Sequence, residues 1–220
     1  MIITLLNLKG GCGKTTLSIH IASTLALAGK KVLLIDADEQ MSAVNWANSR
    51  EEDPIFTVAG IPSNTLHKQV KRMEEDYDFI IIDGPPRISD VSKSCVVASD
   101  LVLIPVTPSP YDIWASAEVV DILNDVRTAI ADYKKINAAI VINRKIKNTK
   151  IGDETSKAME EFHLPILDTR VHQRIVYADS AARGTSAIEE DPTSIAGMEI
   201  KSLVEDILQI VGLKKDKDAA

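Results

Sequence analysis

The sequence predicts an α/β fold, a doubly wound and mostly parallel sheet with helices on both faces. Three observations predict it. Short runs rich in Ile, Val and Leu alternate with longer stretches of helical periodicity. The runs are apolar almost throughout, as strands are when both faces of a parallel sheet are covered. A glycine-rich loop, Gly10-Gly11-Cys12-Gly13-Lys14-Thr15-Thr16, stands between the first run and the first helical stretch. Composition agrees, because 45% hydrophobic and 26% charged residues suit a chain with a sizeable core and exclude a disordered chain, a collagen and a disulfide scaffold. A length of 220 residues fits a single domain over 1–212 followed by a polar tail over 213–220.

Taken in order, strands are expected at 2–6, 32–35, 56–58, 79–82, 101–106 and 138–142, with a weaker one around 164–167. Helices are expected over 15–27, 66–75, 111–131, 151–162 and 195–211. Gly29 suits a left-handed residue closing the first helix, a conformation that glycine enters without penalty. Pro105, Pro108 and Pro110 end the fifth strand and keep the next stretch extended and stiff, and Asp112 stands where the next helix needs an oxygen cap. Near that helix start, Tyr111, Ile113 and Trp114 read as core rather than as a partner-facing stripe.

Several classes drop out. Cys12 and Cys95 are far apart with no CxxC or His cluster, so no zinc or iron–sulfur site is suggested, and they fit a reducing cytosol. No apolar run approaches the ~18 residues of a membrane span, and the N-terminus lacks the basic region of a signal peptide. The 25 Lys and Arg against 32 Asp and Glu give a net charge of −7. That argues against a chain coated in DNA-binding charge while leaving a local basic face open.

The loop carries the chemistry. It follows a predicted strand and opens a predicted helix, the context a phosphate loop requires. Gly10, Gly11 and Gly13 let the backbone, Cys12 included, turn its N–H groups toward phosphate oxygens, and the helix adds its positive end. Lys14 reaches the β and γ phosphates, Thr15 offers a hydroxyl to Mg²⁺, and Thr16 contacts the α phosphate. The second and fourth runs lead into Asp36-Ala37-Asp38 and Asp83. Ligands in open parallel sheets bind beyond the carboxyl ends of the strands, so these carboxylates converge on the loop, with Asp83 as the Mg²⁺ partner. Asn143 and Arg144 end the sixth strand, where they either contact a purine base or merely cap and solvate.

The string Lys9-Gly-Gly-Cys-Gly-Lys-Thr-Thr16 departs from the ordinary pattern, having Leu8 where glycine is usual and an added Lys9. It resembles the deviant Walker A motif of the ParA/MinD ATPases, which implies a P-loop NTPase that binds ATP and Mg²⁺ and dimerises on ATP. It also implies that Lys9 touches the phosphates held by the other subunit. Asp36-Ala-Asp-Glu-Gln40 resembles the family's second acidic motif, implying that Asp36 holds a metal-bound water and that Asp38 orients or deprotonates the attacking water. Glu39 and Gly84 stand where many partition ATPases have Pro and Thr.

Pro105-Val-Thr-Pro-Ser-Pro-Tyr-Asp112, Asn143-Arg-Lys-Ile146 and His172-Gln-Arg-Ile-Val-Tyr177 look most like the short plasmid-partition ATPases of the ParF type. That likeness implies that Pro108 and Pro110 approach nucleotide and dimer partner, and that no helix-turn-helix domain precedes the first strand. It also implies plasmid segregation, stimulated by a centromere- or cargo-binding partner, in the cytoplasm on the nucleoid. Lys145, Lys147, Lys150, Arg170 and Arg174 are the candidates for non-specific DNA binding. Two alternatives stay open: a MinD-like or other cargo-positioning ATPase, and a P-loop synthetase acting on a small metabolite. A membrane partner is not expected, because the last helix reads as packing on the sheet and the tail has no bulky apolar residues.

Overall fold

The computed structural model describes residues 1–146 and 159–213. Six strands form one sheet: β1 (Ile2–Leu5), β2 (Val32–Asp36), β3 (Thr57–Gly60), β4 (Phe79–Asp83), β5 (Leu101–Val106) and β6 (Asn137–Ile142). Every pairing is parallel, and the order is β3-β2-β4-β1-β5-β6. Successive parallel strands, neighbours or not, need crossover connections, and helices supply them. These are α1 (Lys14–Leu27), α2 (Ser42–Asn48), α3 (Leu66–Met73), α4 (Asp90–Ala98) and α5 (Pro110–Ala129), then α6 (Ile175–Ala182), α7 (Ala187–Glu190) and α8 (Ile195–Ile210) after β6.

Strand alternation sorts the core into two faces. Ile3, Leu5, Leu34 and Ile81 point to the side covered by α1 and α8, where Leu17, Ile21, Ile200, Leu203 and Ile207 meet them. Ile2, Ile35, Ile80 and Ile82 face α3 and α4, while Val102, Ile104 and Ile142 face α5 through Val119, Leu123 and Val126. Each such side chain, fully buried, adds about 1.5–3 kcal/mol. The expectation that the last helix packs on the sheet is met by its buried Ile200, Leu203, Val204 and Ile207.

Gly29 does close α1 in the left-handed region, at φ 79°. Sequence reading overlooked four short helices, α2, α4, α6 and α7. In α4, Ser89 and Ser92 cap each other reciprocally, a local bond that outweighs the poor helix propensity of its Ser and Val residues. The weak strand at 164–167 is only a single bridge, Ile140 to Ile166. The expected helix over 151–162 and the tail over 213–220 lie almost wholly outside the described residues.

Two corrections concern the start of α5. Its cap position is Ser109, with Pro110 opening the helix, so Asp112 falls inside the first turn and is completely buried. Tyr111 and Trp114 are 70% and 66% exposed rather than core, and their rings meet edge to face at 5.5 Å. Both residues stand on the helix side turned away from Val119 and Leu123.

Candidate active site

The carboxyl ends of β1, β2, β4 and β6 bring the singled-out residues to one rim of the sheet. A cavity of about 1080 Å³ opens there, lined by Gly10, Gly11, Gly13, Lys14, Thr15, Thr16, Asp38, Asn143 and Arg144. Its far wall is the segment from His172 to Tyr177.

The loop owes its shape to glycine and to a brace. Gly13 sits at φ 93°, and a Cβ there would lie 2.2 Å from Asn143 Nδ2, so no other residue fits. That same Nδ2 donates to the Cys12 carbonyl at 2.8 Å, and an Arg144 guanidinium nitrogen donates to the Gly11 carbonyl at 2.8 Å. Asn143 and Arg144 therefore steady the loop from behind. Asn143 spends one of its two amide N–H donors on Cys12 and lines the cavity, so its other N–H and its Oδ1 stay unused in that contact. The Cys12 thiol is buried, which raises its pKa and keeps it protonated, so this residue offers a phosphate only its backbone.

Lys14 is largely buried and its Nζ donates to the Lys9 carbonyl at 3.4 Å, across the mouth of the loop. Thr15 Oγ1 donates to Asp83 Oδ2 at 2.6 Å, and Ser18 Oγ donates to Oδ1 at 3.4 Å. Burial pushes the Asp83 carboxyl up to about 7; the Thr15 hydroxyl opposes the rise and the nearby Asp36 charge adds to it. A hydroxyl and a costly buried carboxylate, both hard oxygen donors at the end of a phosphate loop, fit Mg²⁺, which takes one or two protein ligands and keeps its waters.

Asp36 is differently occupied. Its Oδ2 accepts from the Ala43 and Val44 N–H groups at 2.7 and 3.2 Å, and its Oδ1 from the Asp38 N–H at 3.1 Å. It thus ties the start of α2 and the turn carrying Asp38 to β2. Burial raises its pKa while those amides pull it down. Its Oδ1, with a single amide donor, keeps the one acceptor site that could hold a metal-bound water. Asp38, partly exposed, opens into the cavity, and its Oδ1 accepts from the Gln40 N–H at 3.2 Å. Gly84 must stay glycine in this chain, because a Cβ there would lie 2.7 Å from the Leu5 carbonyl oxygen.

Lys9 lies beside the loop with its Nζ paired to the buried Asp112 carboxylate. The other oxygen of Asp112, Oδ1, finds no hydrogen-bond partner among the described residues. Pro108 lines a smaller hollow of about 330 Å³ with Lys9, Gly10, Gly11 and Cys12, adjoining the main cavity through Gly10, Gly11 and Arg144.

Sequence reasoning missed two supports. His20 bridges Thr16 and α7: its Nδ1 donates to the Thr16 carbonyl at 2.7 Å, leaving Nε2 to accept the Ala187 N–H at 3.1 Å. Burial drives its pKa down to about 4, so the ring is neutral. Glu199 holds the far wall, accepting from Arg174 at 2.6 and 3.0 Å, from His172 and from the Tyr177 hydroxyl. Burial alone would raise its pKa, but Arg174 and His172 hold it below the usual range. No local motif announces either residue, because their partners are distant in sequence.

The described residues singled out for DNA binding also have partners within the chain. Arg174 is a fork on Glu199, and Arg170 turns onto the Leu167 and Asp168 carbonyls. Lys145 pairs its backbone with Val171 and Gln173, and Lys147 and Lys150 lie outside the described residues. None of the described helices is long and apolar enough to cross a membrane.

Known proteins share this sequence pattern and this architecture. The family profile described as the CobQ/CobB/MinD/ParA nucleotide binding domain matches residues 3–187. Over 187 residues, 83% of this chain and 84% of the other, the chain is 33% identical to the maintenance of carboxysome distribution protein A of Halothiobacillus neapolitanus. It is 25% identical over 239 residues to the virulence plasmid ParA family protein pGP5-D of Chlamydia psittaci, covering 90% of this chain and 91% of that one. MinD of Pyrococcus horikoshii, solved with Mg-ADP, matches with a TM-score of 0.76 over 98% of both chains at 18% identity. At that identity the likeness is one of fold.

Proposed function

The chain belongs to the CobQ/CobB/MinD/ParA nucleotide-binding family, and from that premise we propose that it is a partition-type ATPase that moves or positions a cargo. Proteins of the ParA/MinD family are ATPases that use ATP with Mg²⁺, dimerise on ATP and act with partner proteins. The observation that carries the reading is that Lys14, Thr15, Asp38 and the loop glycines open into one cavity, with the Thr15–Asp83 pair at its base.

In this reading the amides of residues 10–16 and the Lys14 ammonium bind the phosphates, and the end of α1 orients them. Thr15 and Asp83 hold Mg²⁺, which supplies charge neutralisation at the β and γ phosphates. Asp38 accepts a proton from, or orients, the attacking water. Lys9 leaves Asp112 and supplies a cation to the phosphates of a second copy. Asn143 and Arg144 hold the loop through the Cys12 and Gly11 carbonyls and line the cavity where the base would lie, while Pro108 flanks the loop.

The ATP-bound dimer would bind DNA without reading sequence and release it after a centromere- or cargo-bound partner stimulates hydrolysis, which places the protein on the nucleoid in the cytoplasm. Plasmid segregation is the first reading of the load, supported by the ParF-like motifs and the plasmid relative. The second reading is a protein compartment, favoured by the relative named for carboxysome distribution.

Sedimentation with a non-hydrolysable ATP analogue tests the core of this reading. The parent chain is expected to form a dimer, Lys9→Ala to bind nucleotide and stay a monomer, and Asp38→Ala to dimerise while turning over at least tenfold more slowly, within the range of a lost general base. A parent chain that stays monomeric, or an Asp38→Ala variant with unchanged turnover, refutes the assignment. Gel shifts with ATP at low and high salt test the DNA step, since phosphate contacts weaken steeply with salt.

A further inference from the structure

The exposed side of α5 carries an unusual stripe. Residues 111, 114, 118, 121 and 125 recur at helical spacing and share one face. They are Tyr111, Trp114, Glu118, Asp121 and Asp125, and all five are exposed. The opposite side of the helix, with Val119, Leu123 and Val126, is buried on the sheet. None of the three acids has an ion-pair partner among the described residues. The helix's one basic residue, Arg127, turns its Nε inward onto the Ile136 carbonyl at 3.0 Å. So a pair of large aromatics continues directly into a run of uncompensated negative charge.

We propose that this stripe docks a basic, amphipathic segment of a partner protein, with Tyr111 and Trp114 receiving an apolar or cationic side chain and the three acids pairing with Lys or Arg. Exposed Trp and Tyr are the residue types that anchor interfaces, and Trp attracts a cation over its face. The charge decides between occupants. A second copy whose own stripe met this one across a two-fold axis would set acid against acid, and an anionic lipid surface would be repelled. A basic segment satisfies both ends of the stripe.

The position matters too. Asp112, which pairs with Lys9, lies between Tyr111 and Ile113 in the first turn. An occupant of the aromatic end would therefore lie on the helical turn that also carries Asp112. The functional consequence rests on the partner-stimulated ATPase reading; the docking itself does not.

The probe is a labelled synthetic amphipathic peptide of Arg, Leu and Ala, followed by fluorescence anisotropy on the full chain at low salt. A matched peptide with Glu in place of Arg is the control. The parent chain is expected to bind the Arg peptide and not the Glu peptide. Combining Glu118→Lys, Asp121→Lys and Asp125→Lys raises Kd about tenfold or more, and so does Tyr111→Ala with Trp114→Ala. The same charge reversal elsewhere, Glu74→Lys with Glu75→Lys and Asp76→Lys, leaves Kd unchanged. Failure of the parent to bind, equal loss in both triple variants, or binding of the Glu peptide overturns the proposal. ATP-analogue binding on the same samples separates the two readings: its absence in the parent refutes the ATPase assignment, while the peptide series alone decides the docking surface.

Discussion

The ends of β2 and β4 make an instructive pair. The strands are neighbours, Asp36 and Asp83 are directly opposite in register, and both carboxylates are buried. Burial raises the pKa of both. What differs is the partner each one meets. Asp36 accepts from three backbone N–H groups, whose positions are fixed by the start of α2 and the turn before it. Asp83 accepts from the Thr15 and Ser18 hydroxyls, which can rotate and accept as well as donate. An amide-bound carboxylate is a structural clamp; a hydroxyl-bound one can exchange its partner for a cation. Equal placement on the sheet thus yields unequal chemistry.

The comparison breaks most visibly in turnover. Asp83→Asn should lower steady-state phosphate release on the order of 10²–10³-fold, the scale of losing one preorganised electrostatic group. Asp36→Ala should instead cost stability, about 1–3 kcal/mol for stranded N–H groups at the start of α2, read from urea unfolding. Its turnover should fall less than that of Asp83→Asn. If Asp36→Ala unfolds like the parent yet loses turnover equally, the distinction is wrong.

A subtler outcome sharpens it through pH. The folded pKa of Asp83, about 7, stands above its ordinary value of 3.8, so the folded chain retains a proton that the unfolded chain releases. Its contribution to stability is full below pH 3.8 and is lost as pH rises through about 7. In magnesium-free buffer, the urea midpoint of Asp83→Asn should therefore gain on that of the parent between those limits. A gap that is flat or shrinks with rising pH would contradict the buried-carboxylate assignment. Within the same window His20 works in the other direction. Its folded pKa of about 4 lies below 6.5, so its contribution disappears as pH falls from 6.5 toward 4, and taking the difference between the two chains removes it.

The sheet and the loop were legible because their signals are local. Runs such as 79–82 are apolar throughout, and the phosphate loop is a contiguous string between a strand and a helix. The short helices α2, α6 and α7 lack a long periodic pattern and lean on distant partners, as when Trp46 of α2 donates to the Thr185 carbonyl at 3.0 Å. Side-chain partners were hidden for the same reason. Asp112 looked like a cap because nothing near it in sequence hints at Lys9, 103 residues away. Arg174 looked like a free cation because Glu199 lies 25 residues farther on, beyond α6 and α7. Residue type sets what a side chain can do, whereas tertiary neighbours decide whether it is free to do it.

The Lys9–Asp112 pair bears on how steeply assembly depends on conditions. A lysine parked against its own helix keeps the solitary subunit electrically quiet at the face where a twin would join. To reach across, it must abandon a carboxylate that is sealed from solvent and already short of one neighbour. Only a strong anion can compensate that loss. Two subunits that collide empty-handed gain nothing from the exchange, and two that each carry a triphosphate gain it twice. In the proposed dimer, the pair would therefore favour assembly with nucleotide bound over assembly without it.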